Sequence, residues 1–171
     1  MPEKDVEKLI ACLDVRVDSG QSRVWIFQAN PDRFDVLKAV SCEELEEDVW
    51  LVTRYQKQIH AGDVGLIWMA EKWGGIYAVV DIISNPELMV DPEASTTFWR
   101  FYKDRGRSRL RVRYKYVLRL FRNHIPREEL EDITELENMA IFVQPRGTNF
   151  PVSKNEWKII SGLIRSKFNL K

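Results

Sequence analysis

Cysteine is nearly missing from this sequence: Cys12 and Cys42 are the two it contains, far apart and in no C-x-x-C spacing. That excludes a disulfide framework, offers no zinc signature, and fits a reducing, cytoplasmic setting. Net charge is missing too. With 26 basic residues against 26 acidic ones, no global field draws the chain to nucleic acid or membrane. No apolar run approaches the length of a membrane span, and the first residues, MPEKDVEKLI, carry acids where a signal peptide has an apolar core. The chain therefore reads as soluble, with no membrane partner.

Catalytic signatures are equally scarce. The sequence has no G-x-x-x-x-G-K-[ST], no G-x-G-x-x-G, no H-E-x-x-H and no G-x-S-x-G. Its two histidines, His60 and His124, each sit beside a turn and read as surface or structural residues rather than bases or ligands. Acidic residues are clustered along helical faces, so no glycosidase-like carboxylate pair stands out. No enzyme activity, catalytic residue, metal or cofactor is expected.

What is present is an ordinary globular composition. At 171 residues, 44% hydrophobic and 30% charged, the chain suits one compact domain with a real core. It is organised around the stretch from Val49 to Ile83, which carries Trp50, Tyr55, Trp68, Trp73 and Tyr77. Within it, Val64 to Met69 and Ile76 to Ile83 are apolar runs bounded by Gly or Asn-Pro and predict two strands. Two readings of the aromatic rings stand side by side. They fill a core, as most rings in a domain this size do, or some of them wall a pocket for a flat ligand such as a nucleobase.

Around this unit the periodicity predicts the other elements. Val6, Leu9, Ile10 and Leu13 form one face of an N-terminal helix with Pro2 in its first turn. A polar linker, Asp18 to Ser22, leads to a central strand, Arg23 to Gln28, which leaves the sheet at Asn30-Pro31. Helical pieces are expected over 32–40 and 41–48. Ser41 and Glu44 match a capping box there, and the acidic run Glu43 to Asp48 reads as a solvated face. Trp99, in the segment Thr96 to Tyr102, follows no sustained period and either lies on a loop over the sheet or packs beneath that loop.

From Arg107 to Lys115, basic residues alternate with apolar ones. A strand here would present Arg107, Arg109, Arg111 and Arg113 on one face and Leu110, Val112 and Tyr114 on the other. Such a ladder predicts a phosphate-contacting surface, against the alternative that nearby acids pair with it. Pro126 opens a short helix, Ala140 to Val143 is expected as a short strand, and Ser153 with Glu156 caps a closing helix. That helix carries Trp157, Ile160, Leu163, Ile164 and Phe168 on one face.

Five motifs occur in order: Trp-x-Phe-Gln-Ala-Asn-Pro (Trp25 to Pro31), Trp-Leu-Val-x-Arg-Tyr (Trp50 to Tyr55), Gly-Asp-x-x-x-Ile-Trp (Gly62 to Trp68), Gly-Ile-Tyr-Ala (Gly75 to Ala78) and Gly-Thr-Asn-Phe (Gly147 to Phe150). Together they resemble an EVE domain, of the PUA-like superfamily that also holds the YTH and ASCH domains. The resemblance implies an α+β fold, a PUA-like bent β-barrel with surrounding helices over residues 21–171, preceded by an N-terminal helix and linker over 1–20. It also implies a non-catalytic reader of a modified base, methylated and flipped from DNA into an aromatic pocket. Such domains serve modification-dependent restriction systems of the McrB type, so a motor or nuclease domain in a larger protein is a further implied partner. A PUA-type module reading modified or structured RNA is the alternative.

Carried over by position, the resemblance assigns Asn30, Trp50, Trp68 and Trp99 to the base pocket and Tyr55 and Asn149 to its rim. Arg107, Arg109, Arg111, Arg113 and Arg146 are the expected phosphate contacts. Two features depart from the family pattern: Ala70-Glu71-Lys72-Trp73 replaces a small polar loop, and the N-terminal helix lies outside it.

Overall fold

The computed structural model describes residues 3–101, 103 and 105–170. The expected roles of Pro2, and of Tyr102 at the end of the Trp99 segment, lie outside these residues. Helix α1 (Glu3–Asp18) precedes β1 (Val24–Ala29), α2 (Val36–Ser41) and β2 (Glu47–Leu51). Next come β3 (Val64–Met69), a 3-10 turn over Glu71–Trp73, β4 (Gly75–Ile82), β5 (Glu87–Met89) and α3 (Glu93–Thr96). The long strand β6 (Arg109–Arg119) leads to β7 (Ile125–Pro126), α4 (Arg127–Glu131), α5 (Ala140–Val143), β8 (Asn149–Val152) and α6 (Lys154–Lys167).

The strands form one curled mixed sheet in the order β2-β6-β4-β3-β1-β8, with β5 added on β6 and β7 on β4. Only β1 and β3 pair in parallel among the described strands; Val24 to Ala29 lie beside Val64 to Met69 in register. The sheet closes as a half-barrel with helices packed around it, the PUA-like architecture. Irregular register at Ile67/Trp68 and at Val79/Val80 introduces bulges, which bend strands and raise local twist.

Alternation along β1, β3 and β4 divides the core in two. Val24, Ile26, Val64, Leu66, Trp68, Ile76 and Val79 pack with α1 and α6 on one face. Trp25, Phe27, Ile67, Met69, Tyr77, Ala78 and Val80 pack with α2 and the β2 aromatics on the other. Successive side chains of a strand point to opposite faces, so central strands covered on both sides are apolar throughout. All six residues of β3 are accordingly buried.

Helix α1 belongs to this core. Val6, Ile10, Leu13 and Val17 are buried, and polar bonds fasten the helix to α6. Trp157 Nε1 donates to Asp14 at 2.8 Å, and Arg165 pairs with Asp14 at 2.8 Å and Glu7 at 3.1 Å. The Gly62-Asp63 turn is a second anchor. Asp63, 4% exposed, accepts from Arg23 N, Trp25 Nε1 and His60 N.

Several local expectations need correction. Ala140–Val143 is one turn of helix, α5, not a strand; a short apolar run does not distinguish the two by period. Ser41 and Glu44 form no capping box, because Ser41 Oγ turns back to Lys38 O at the end of α2 and the N-cap is Asp35. The stretch expected as a second helix holds the start of β2 instead, drawn into the sheet by pairing with β6. The Ser153–Glu156 capping box of α6 does form.

Candidate nucleic-acid interface

The end of β1, the middle of β2 and the start of β6 converge on a cavity of about 440 Å³. Its apolar wall begins with Trp50 on β2, 7% exposed, whose ring stacks on Phe27 at 6.1 Å and meets Phe34 edge-on at 6.0 Å. Phe34 follows the turn that Asn30-Pro31 imposes on the chain leaving β1. Trp99 then lies edge-on against Phe34 at 5.1 Å. An isolated bridge between Phe34 and Trp99 holds the two loops together, flanked by Asp35 N to Phe98 O and Arg100 N to Arg33 O, each 2.8 Å.

Polar groups share the lining: Gln28, Asn30, Thr148, the acids Glu71 and Asp91, and five arginines. Asn30 lines the cavity, and its Oδ1 accepts from Asp32 N at 2.8 Å, closing an Asx turn. Trp99 Nε1 is buried with no hydrogen-bond partner among the described residues. A buried donor left unpaired costs about 1–3 kcal/mol. The opposite wall is the loop Pro145 to Thr148, tied to β1 by Gln28: its Nε2 donates to the carbonyls of Pro145 and Gly147 at 2.9 Å each, and its N to Thr148 O at 2.8 Å. Gly147 has φ +158 here. Arg33, Arg109, Arg127 and Arg146 complete the basic lining, with Glu71 as an acid facing them.

Residues assigned from the sequence divide accordingly. Asn30, Trp50, Trp99, Arg109, Arg111 and Arg146 line the cavity. Trp68 does not: it is 1% exposed and packs edge-on against Phe142 at 6.2 Å. Sharing the phase of Val64 and Leu66, it points to the sheet face opposite Trp50. Tyr55 is off the rim as well. A left-handed backbone, φ +59, turns its ring onto Trp25 at 5.3 Å.

Asn149 is fully buried and structural rather than a rim residue. Its Oδ1 accepts from Thr53 N at 2.9 Å and Arg54 N at 3.3 Å, and its Nδ2 donates to Leu51 O at 2.9 Å, which locks β8 to the end of β2.

The arginine ladder is not one surface. Arg107 and Arg113 are exposed but do not line the cavity, and Arg111 is 2% exposed. Arg111 pairs with buried Asp91 at 2.9 Å and donates to the carbonyls of Met89 at 2.5 Å and Arg107 at 2.8 Å. Burial pulls its pKa down from the ordinary value, and the neighbouring Asp91 opposes that pull. It is a brace between β6 and the loop after β5, not a free phosphate contact. Arg119, farther along β6, is spent likewise: it donates to the carbonyls of Ala39, Val40 and Leu45 and lies 3.8 Å over the Tyr116 ring.

Phe34, Gln28, Glu71 and Arg127 were not among the expected site residues. Gln28 stands inside a recognised motif, so a signal existed. Arg127 and Glu71 reach the cavity only through the pairing of β7 with β4 and the turn after β3. Among the described residues no group of three or more His, Cys, Asp or Glu could hold a metal, and no helix is long and apolar enough to cross a membrane.

Comparison with solved structures places the fold. The chain is similar to the human THYN1 protein, solved in complex with 5-methylcytosine-containing DNA, at 17% identity and TM-score 0.60, covering 83% of this chain and 97% of that one. A hypothetical protein from Leishmania major is similar at 20% identity and TM-score 0.59, covering 86% and 96%. Protein Atu2648 from Agrobacterium tumefaciens is similar at 14% and 0.58, covering 83% and 92%. At such identities the likeness is one of fold. Comparison with curated proteins gives no match. The sequence model of the EVE domain, however, matches residues 23–163, from the strand before the cavity into the closing helix. The chain belongs to the EVE domain family.

Proposed function

We propose that this protein is a non-catalytic reader that takes a modified base, extruded from DNA, into the cavity between Trp50, Phe34 and Trp99. The observation that carries the reading is the aromatic wall of Trp50, Phe34 and Trp99, edged by arginines, along one cavity. A flipped base offers a flat face to the indoles and polar edges to Asn30 and the arginines, and base–aromatic stacking is worth about 1–3 kcal/mol. The fold likeness to a protein solved with 5-methylcytosine-containing DNA makes methylated DNA the first ligand to test. Burying a methyl adds about 1 kcal/mol, so cavity shape must supply the remaining discrimination. Cleavage, if the reader serves a restriction system, would come from a motor or nuclease acting with it.

The test is equilibrium binding to matched duplexes and RNAs with and without 5-methylcytosine or N6-methyladenine. A preference of about 10-fold for one modified duplex is expected. Trp99→Ala should weaken that complex by about 10- to 100-fold and affect the unmodified duplex little. Trp50 is packed more deeply, so Trp50→Ala should also cost about 3–5 kcal/mol of stability, read as a lower thermal midpoint. Equal affinity for every modified and unmodified pair would sink the reading, and tighter binding to RNA would move it to the RNA class.

A further inference from the structure

We propose that Trp73 is a second stacking platform, which receives the base next to the extruded one and makes the turn after β3 part of the nucleic-acid interface. The inference rests on the base-pocket reading above. Trp73 is 62% exposed, an unusual position for so large an apolar ring. Looseness does not explain it, because the turn is braced from three sides. Gly74 N donates to Glu71 O at 2.9 Å, Tyr77 OH to Trp73 O at 3.0 Å, and Arg127 N to Gly74 O at 2.9 Å. Tyr77 is itself fixed by stacking on His124 at 4.6 Å and 7°. Gly75, with φ +147, brings the backbone onto the Ile125 carbonyl, where a Cβ would clash. The backbone that carries the ring is fixed, so a ligand has only the side chain to order.

Its position suits a neighbouring nucleotide. Glu71 lines the base cavity, and Glu71, Lys72 and Trp73 also wall an adjoining cleft of about 460 Å³ floored by Val36 and Met69. One turn thus separates two compartments. In this 3-10 turn two residues rise about 4 Å, comparable to one base spacing of about 3.4 Å along a strand. The cleft beside the ring carries both signs, Asp32 and Glu71 as well as Lys72, and so suits a polar strand rather than an apolar peptide. Lys72 Nζ lies 5.3 Å from the Trp73 centroid and can meet a phosphate, whereas Arg127 on the cavity side is paired with Glu131 at 2.7 Å. Asp35 in the cleft is already paired with Lys38 at 3.3 Å and Arg100 at 3.2 Å.

The experiment uses a duplex that carries the preferred modified base and 2-aminopurine at the adjacent 5′ or 3′ position, whose fluorescence reports stacking. Wild-type protein should quench the probe on one side. Trp73→Ala should abolish that quenching and weaken binding about 10-fold, with an unchanged thermal midpoint because the ring is exposed. Trp73→Phe should restore most of both. Undiminished affinity and quenching in Trp73→Ala, with the preference for the modified base retained, would overturn this proposal and leave the pocket reading standing. Trp73-dependent quenching without any preference for modified bases would support the platform and defeat the pocket reading.

Discussion

Asp48 carries an unusual ionisation at the edge of the aromatic cluster. It is 2% exposed, accepts from Val49 N at 2.8 Å and lies 3.5 Å from the Tyr114 hydroxyl. Burial pushes its carboxyl from the ordinary 3.8 up to about 6, opposed by the Val49 bond and aided by neighbouring Asp91. The folded state therefore holds this proton more tightly than the unfolded chain does. Its ionisation destabilises the fold: not at all below about pH 4, increasingly as pH rises toward 6, and fully above it. Asp48→Asn removes the charge and keeps an acceptor for Val49 N. It should be more stable than wild type at pH 8 by an amount on the order of 1–3 kcal/mol, with the gap closing toward pH 4. Urea midpoints of both proteins across that range test this. A gap independent of pH would mean that Asp48 titrates as an ordinary aspartate.

Among the strands, β6 carries the clearest stability prediction. Arg111 and Asp91 are 2% and 4% exposed in their side chains, so removing one partner strands the other's charge in the interior. Arg111→Ala should cost about 3–5 kcal/mol, whereas replacing both residues by apolar ones of similar volume should recover most of that loss. Denaturant unfolding of the two single variants and the double variant closes the cycle. The same strand marks what the sequence could reveal. Its period-2 pattern was legible, and Val112 and Tyr114 are in the core as that pattern requires. What covers the other phase was not, because β5 and its following loop close over Arg111 from residues about twenty positions away in sequence. Trp68 illustrates the same limit. Its strand was evident, but which face of a doubly covered sheet holds a cavity is decided by the β1–β3 and β2–β6 pairings. The α6 capping box was a local signal that survived into the fold, whereas the equally local Ser41–Glu44 pattern did not, because pairing with β6 drew the residues after it into β2. Of the site, the residues beside Asn30-Pro31 and Gly147-Thr148 were legible through the ordered motifs. Glu71 and Arg127 arrive by tertiary pairing alone.

For the whole molecule, 26 cations balanced by 26 anions mean that any salt-dependent affinity must arise from how charge is distributed, not from its sum. Several of the cations are consumed inside the fold: Arg111 by Asp91, Arg119 by backbone carbonyls, Arg165 by Glu7 and Asp14. Arg146 differs, being exposed on the loop that walls the cavity, while Arg113 is exposed but does not line the cavity. Each phosphate neutralised contributes about 0.9 to the slope of log K against log salt on duplex DNA. Arg146→Ala should therefore flatten that slope by roughly one unit and weaken modified and unmodified duplexes by the same factor, because phosphate contacts carry no base information. Arg113→Ala should leave the slope where it was. Titrations at four or more salt concentrations separate the two variants, and a change confined to Arg113→Ala would put the phosphate track along β6, away from the cavity mouth.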